Sequence, residues 1–353
     1  MMQVSKNIKL NRVLSDPLRK NLGLILFEWL YYSFKQRKFS REYISRLCYR
    51  KGYPKLENYV SDVQIGVLQM SRVLHSDHST RRLINKVEFY KFCVEHHIPT
   101  PKVLGYTMDH RLNNMNEWIE DITFKQMSEL LYQWVIESPH QSIFIKPLDL
   151  KGGVGAYRLH KEDLSNNTLL HEIFDVIFDS NYIIQQTIIQ HDVVNQINPA
   201  SINTVRIDTY KPKDEPSRVM SALMRFGRKG YVVDNPGSST GFFIALDLTT
   251  HRLQAPGLQI TAVGNHTYTH HPDTNVALDK VQIPFVDEVI ALVNFACEKS
   301  EDRLVGWDVC IGVDGPILIE GNHNYHILMQ ELAYGGYNNN PEFKKVLAEE
   351  GLI

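Results

Sequence analysis

Cysteine is sparse in this sequence of 353 residues: Cys48, Cys93, Cys297 and Cys310 stand far apart, and no CxxC occurs. A disulfide scaffold and a zinc knuckle are therefore not expected, and four reduced thiols fit a cytoplasmic setting. Long apolar runs are also missing. The most apolar stretch near the start, Leu24 to Phe34, is interrupted by Glu28, whereas a bilayer span takes roughly 20 apolar residues. The opening residues lack the apolar core and small-residue cleavage pattern of a secretory leader, so none is expected. There are no repeats and no low-complexity segment. GxxxxGK[ST] and GxGxxG are both absent. That removes a P-loop and a dinucleotide fingerprint from consideration.

What is present is ordinary in bulk and uneven in charge. Hydrophobic residues make up 43% and charged residues 22%, enough apolar material for a large core in two domains. Net charge is -2, yet residues 1–55 hold 13 Lys and Arg against 3 Asp and Glu. A basic head on an acidic body suggests an anionic partner for the head. No readout motif accompanies the basic charge, so a nucleic-acid partner is not expected.

Apolar spacing of three and four through Leu18, Leu22, Ile25, Leu26, Trp29, Leu30 and Phe34 predicts a helix over 17–50, broken by Gly52 and Pro54. Residues 58–78 read as helical, and Thr80 can cap a helix running to His97 before Pro99 and Pro101. Strands are expected at 103–107, 142–145, 182–186, 203–211, 217–226, 241–247, 304–312 and 316–320, and helices at 125–137, 163–178 and 285–299. Val313-Asp314-Gly315 signals a hairpin. The expected class is α+β with antiparallel pairing in the C-terminal half.

Three clusters carry chemistry. Lys146 ends an apolar strand and is followed by Lys151-Gly152-Gly153-Val154-Gly155. Glycines let backbone N–H groups approach phosphate oxygens, and lysines supply positive charge; an ordinary hairpin turn is the plainer alternative. Asp308 lies in one predicted strand and Glu320 ends its partner. Glu320 and Asn322, two apart, point to one side. Two carboxylates and an amide oxygen suit Mg²⁺. Arg206, inside a β-branched run, could neutralise developing negative charge or form a structural ion pair with Asp208 or another acid. The loop holding His266, His270 and His271 is read as a solvated border of the site rather than a transition-metal centre.

Taken in order, these parts resemble the ATP-grasp superfamily, in which two α+β lobes clasp ATP. They are most similar to its sugar-transfer-associated group, found with polysaccharide biosynthesis. Asn198-Pro-Ala-Ser-Ile-Asn-Thr-Val-Arg206, Arg225 to Asn235, His271-Pro-Asp-Thr274, Gly306-Trp-Asp308 and Glu320-Gly-Asn322 carry the resemblance over roughly residues 80–335. The resemblance implies ATP-phosphate contacts from Lys86, Lys146, Lys151, Gly152, Gly153 and Gly155. It also implies adenine recognition by the hinge at Gln185, Gln186 and Ile188, and a ribose contact from Asp192. Mg²⁺ would fall to Asp308, Glu320 and Asn322, and stabilisation of the transferred group to Arg206 or Arg225. Three positions depart from the pattern. The hinge begins with Gln rather than Glu, Gly306 stands where many superfamily ligases have Arg, and Pro-Gly-Ser-Ser-Thr-Gly follows Asp234-Asn235 where paired glycines are common.

The expected organisation is a basic helical region (1–79), an ATP-grasp region (80–335) and a C-terminal helix (336–353). The ATP-grasp region divides into 80–140, a glycine-loop lobe at 141–190, and a metal and acceptor lobe at 191–335. The expected activity is ATP- and Mg²⁺-dependent joining of a carboxylate to an amine, with sugar-linked substrates. A phosphotransferase acting on a hydroxyl and a non-catalytic ATP-binding module are the alternatives. For the aromatic and basic helix over 17–50, packing on the body is expected, shielding Trp29 and Phe34. Peripheral contact with the inner membrane face is the alternative. Oligomeric state is left open.

Overall fold

The computed structural model describes residues 10–148, 150, 154–228, 230–231, 233–237 and 241–353. The chain begins with α1 (Leu10–Ser15), α2 (Leu22–Gln36), α3 (Arg41–Ser45) and α4 (Asp62–Met70). The helix expected over 17–50 is thus interrupted. Asn21 caps α2 by accepting from Gly23 N–H, and Arg37 ends it in the left-handed conformation (φ 53°), its N–H returning to Phe34 O and Ser33 O. The chain then doubles back, so that Tyr43, Leu47 and Tyr49 are buried beside Tyr32.

Next come α5 (Asp77–Ile84) and α6 (Lys86–Glu95). One helix was expected from Thr80 to His97. Two form because Asn85 turns extended, and its side chain accepts from Val87 and Glu88 N–H. An asparagine competing for backbone donors is a cap, even inside an apolar pattern. The break places Lys86 at the first position of α6.

A six-stranded sheet follows, built from β1 (Val103–Met108), β2 (Arg111–Asn113), β3 (Trp118–Ile119), β4 (Ser142–Pro147), β5 (Tyr157–His160) and β6 (Tyr182–Gln186). Their order is β3-β2-β1-β6-β4-β5, antiparallel throughout. α7 (Phe124–Glu137) and α8 (Asn167–Asp179) cover one face. Alternation along β4 sends Ile143 and Ile145 into that core, and Phe144 and Lys146 to the other side.

Past α9 (Asp192–Ile197), the second sheet contains β7 (Thr204–Tyr210), β8 (Arg218–Phe226), β9 (Phe242–Leu246), β10 (Leu253–Leu258) and β11 (Thr267–Tyr268). After α10 (Val286–Lys299) it is completed by β12 (Leu304–Gly312) and β13 (Gly315–Asn322). The order is β11-β10-β9-β8-β7-β12-β13, also antiparallel. Val205, Ile207, Ala222 and Met224 face the core under α10 and α6. Thr204, Arg206 and Arg225 emerge on the opposite face. The chain closes with α11 (Leu328–Tyr334) and α12 (Pro341–Glu349).

The N-terminal helices sit on α11 and the loop after β10. Arg46 Nε lies 3.4 Å from the buried Glu331, which also accepts Val60 N–H at 2.6 Å. Arg50 pairs with Asp16 at 2.7 Å, and Arg12 donates to Thr261 O at 2.7 Å. The expected shielding of α2 holds on one side only. Trp29 stacks on Phe39 and donates to Ser40 O, but Phe34 is 87% exposed. The body packs against the opposite side of the same helix, through Tyr32 and Ile25.

Candidate functional site

A cavity of about 390 Å³ is lined from both sheets. Its floor is a row across three neighbouring strands: register pairs Arg206 with Asp308, and Asp308 with Glu320. A bulge at Ile319 follows from Asp308 opposing Glu320 while Val309 opposes Leu318. The extra residue lets both Ile319 and Glu320 line the cavity. The first sheet contributes a second row, Arg158–Phe144–Gln185, across β5, β4 and β6.

The floor is tightly hydrogen-bonded. Arg206 donates from Nε to Asp308 Oδ1 at 2.5 Å and from Nη2 to Oδ2 at 3.0 Å. Arg225 Nη2 is 3.0 Å from the same Oδ2 and 2.6 Å from Thr204 Oγ1. Thr204 in turn donates its hydroxyl to Asp234 at 2.6 Å. Arg206 does form an ion pair, as one reading of the sequence had it, but with Asp308. Asp208 instead meets Tyr337 and Gln330.

Burial pushes Asp308 up to about 6, against the pull of Arg206 and Arg225. Burial opposes ionisation of Glu320 as well, but Lys146, a hydrogen bond with Asp308, and Arg206 hold it down at about 2. Lys146 is pushed down to about 8 by burial and by Lys86, with Glu320 pulling the other way. Burial works against the charge on Arg225, and Asp234, Asp308 and Glu320 outweigh it, so its pKa rises.

Lys86 donates to the carbonyls of Leu148 (2.7 Å) and Leu150 (3.1 Å), gripping the backbone where the glycine loop departs. Lys151, Gly152 and Gly153 lie outside the described residues. Gly155 has φ +73°, and a Cβ there would stand 3.1 Å from Tyr182 Oη and 3.2 Å from Pro147 Cγ. Glycine is thus required where the loop turns into β5. Gln185, Gln186 and Ile188 line the cavity; β6 ends at Gln186, leaving Ile188 outside the sheet. Asp192 opens α9 and is exposed, away from the cavity lining.

Asn322 donates to Glu320 Oε1 at 3.1 Å. Among the described residues no three His, Cys, Asp or Glu side chains gather to hold a metal. The set here is two carboxylates and an amide oxygen, a donor set suited to a hard cation that keeps further sites for water and phosphate. Asp308 Oδ1 accepts from one arginine and retains a second lone pair, whereas Oδ2 is occupied by both Arg206 and Arg225. The residues fit Mg²⁺ on that chemistry.

Arg158, Asp234 and Thr204 escaped the reading of the sequence. Thr204 was legible, since it lies two residues before Arg206 on the same strand. Arg158 sits on a four-residue strand too short to stand out in the sequence; its Nε is buried without a partner among the described residues. The histidine loop differs from expectation too. His271 is fully buried, and its Nε2 lies 3.3 Å from Gly227 O.

No curated protein matches the chain. Among solved structures it is similar to N5-carboxyaminoimidazole synthase from Aspergillus clavatus (10% identity, 74% of this chain and 50% of that one, TM-score 0.44). It is also similar to D-alanyl-alanine synthetase A from Vibrio cholerae O1 (12% identity, 77% and 65%, TM-score 0.45). The ATP-grasp ligase PsnB, solved with its minimal precursor, Mg and ADP, is a third (14% identity, 79% and 62%, TM-score 0.44). The chain spans between half and two thirds of the length of these three structures. A family model described as sugar-transfer associated ATP-grasp matches residues 69–339, and the chain therefore belongs to that family.

Proposed function

We propose that this protein is an ATP- and Mg²⁺-dependent carboxylate–amine ligase of surface or capsular polysaccharide synthesis, joining an amino acid or other amine to an acidic sugar. One observation carries the reading: a single cavity gathers five basic side chains (Lys86, Lys146, Arg158, Arg206, Arg225) around three acidic ones (Asp234, Asp308, Glu320). A surplus of cations beside paired carboxylates in one cavity is what a polyphosphate accompanied by a divalent metal requires.

In this reading Lys86, Lys146 and the Lys151–Gly155 loop hold the phosphates, and the backbone from Gln185 to Ile188 receives the adenine. Asp308, Glu320 and Asn322 would hold Mg²⁺, which supplies charge neutralisation between the phosphates when bound. The substrate carboxylate oxygen attacks the γ-phosphorus and ADP departs. The amine nitrogen then attacks the acyl carbon, phosphate leaves, and the nitrogen loses a proton. Arg206 and Arg225, fixed by Asp308, Thr204 and Asp234, are pre-positioned donors for the oxyanions that form. Gly306 leaves this to them, because Tyr325 fills the space where a side chain at 306 would lie.

The test is an ADP-release screen over amino acids and uronic-acid sugars, with products identified by mass spectrometry. Amide, ADP and phosphate support the ligase. A phosphate ester with ADP and no free phosphate moves the assignment to a phosphotransferase. ATP bound without turnover on any pair assigns a binding module.

A further inference from the structure

α2 presents two apolar faces, and the fold uses one. Ile25, Trp29 and Tyr32 pack against the cluster that contains Leu47, Leu328 and Leu332. Leu22, Leu26, Leu30, Phe34, Phe27 and Tyr31 sweep around the rest of the helix, at successive angles of 100° per residue, and all are exposed. Phe27 is 69% and Phe34 87% exposed. The helix is about 22 Å long at 1.5 Å per residue. A contiguous apolar surface of this extent is a contact surface.

Charge identifies the partner. Lys35, Arg37, Lys38 and Arg41 are exposed at the C-terminal end of α2, and Arg19 and Lys20 flank its start. The acids nearby are engaged internally. Glu28 accepts from Lys20 and Tyr43, Glu42 is buried, and Glu57 accepts from Tyr32 and Lys35. Two copies of this chain meeting through α2 would bring basic ends against one another, which is repulsive in either orientation. An anionic bilayer satisfies both features: acyl chains for the Leu and Phe side chains, lipid phosphates for the Lys and Arg rim.

We propose that α2 is an interfacial helix that seats the protein on an anionic lipid surface, its exposed apolar face in the headgroup–acyl boundary. The cluster that carries α2 includes Ile260 and Leu328, which also line the cavity. The seated face and one wall of the cavity are therefore backed by the same layer of side chains.

The full chain is co-sedimented with vesicles of phosphatidylcholine alone and of phosphatidylcholine with phosphatidylglycerol, at low and high salt. Binding to the anionic vesicles, weakened by salt, is expected. Phe27→Asp with Phe34→Asp should lower the partition coefficient about tenfold or more, and Arg37→Glu with Arg41→Glu should abolish the preference for anionic lipid. These side chains are exposed, so the melting transition should not move; if the Phe variant melts early, the charge variant decides alone. Equal recovery in the supernatant with both vesicle types overturns the proposal. So does a dimer in analytical ultracentrifugation that Phe27→Asp with Phe34→Asp splits, in the absence of vesicle binding; that result assigns the face to a second copy.

Discussion

Arg206 and Asp308 face each other on adjacent strands, and the guanidinium spans both carboxylate oxygens, at 2.5 and 3.0 Å. Arg225 reaches the same carboxylate from the next strand over, 3.0 Å away. One acid thus holds two buried cations in place, and it is also a proposed metal ligand.

Asp308→Asn should therefore cost more stability than loss of either arginine. It leaves two buried guanidinium groups short of a partner, a situation that costs about 3–5 kcal/mol. Arg206→Met should cost less, because Arg225 still pairs with Asp308. Urea unfolding of the two variants gives the ranking, and equal midpoints would show that the network is not holding Asp308.

Lys146→Ala should weaken binding of Mg–ATP at least tenfold, about 1.4 kcal/mol, in calorimetry on folded protein. Unchanged affinity would remove Lys146 from the site.

Affinity for the nucleotide should also depend on pH through Lys146, whose pKa is pushed down to about 8 by burial. Below that pH the ammonium is present in both free and bound protein. Above it a proton must be taken up on binding, so each further unit weakens affinity by up to about tenfold until the pKa of the bound state is reached. Lys146→Arg should flatten the profile between pH 8 and 10. Linkage to folding has the opposite sign: the unfolded chain holds this proton more firmly, so the group's unfavourable contribution to stability is relieved as pH rises through about 8.

Glu320→Gln, nearly isosteric, should reduce ADP release by about 10²-fold or more while leaving the circular dichroism spectrum unchanged. A structure with nucleotide and Mg²⁺ in which Glu320 turns from the phosphates would overturn its assignment as a ligand.

Gly306→Ala should destabilise by about 1–3 kcal/mol, because the added Cβ would lie 2.7 Å from the Tyr325 ring, in a buried contact with little room to shift. Thermal melting measures it. Placing arginine there should be worse, because the side chain is larger.

Much of this was legible in the residues. The apolar runs at Tyr182–Gln186 and Leu304–Gly312 form strands with the bounds expected of them, because strands buried on both faces carry continuous apolar sequence. The i, i+2 relation of Glu320 and Asn322 survives on β13. Other features depend on register, which composition does not encode. The bulge at Ile319, the approach of Arg225 to Asp308 and the place of Arg158 opposite Phe144 are all of this kind. The apolar run from Thr80 to His97 reads as one helix, yet the Asn85 side chain ends one helix and starts another at Lys86. The stripe in α2 announced that the helix had an apolar face; periodicity alone could not say that the face opposite would also be apolar and left open.

α11 has the N-terminal helices on one side, through Glu331 and Arg46, and the cavity on the other, through Leu328 and Met329. Residues 10–55 consequently back the wall of the cavity and are not an appendage. Excising them would strand Glu331, whose carboxyl is already raised to about 7 by burial despite Arg46, and would strip the backing from the helix that shapes one end of the cavity. A truncated chain that lost both lipid binding and turnover would say nothing about whether the two are linked, whereas substitutions confined to the outer face of α2 separate them.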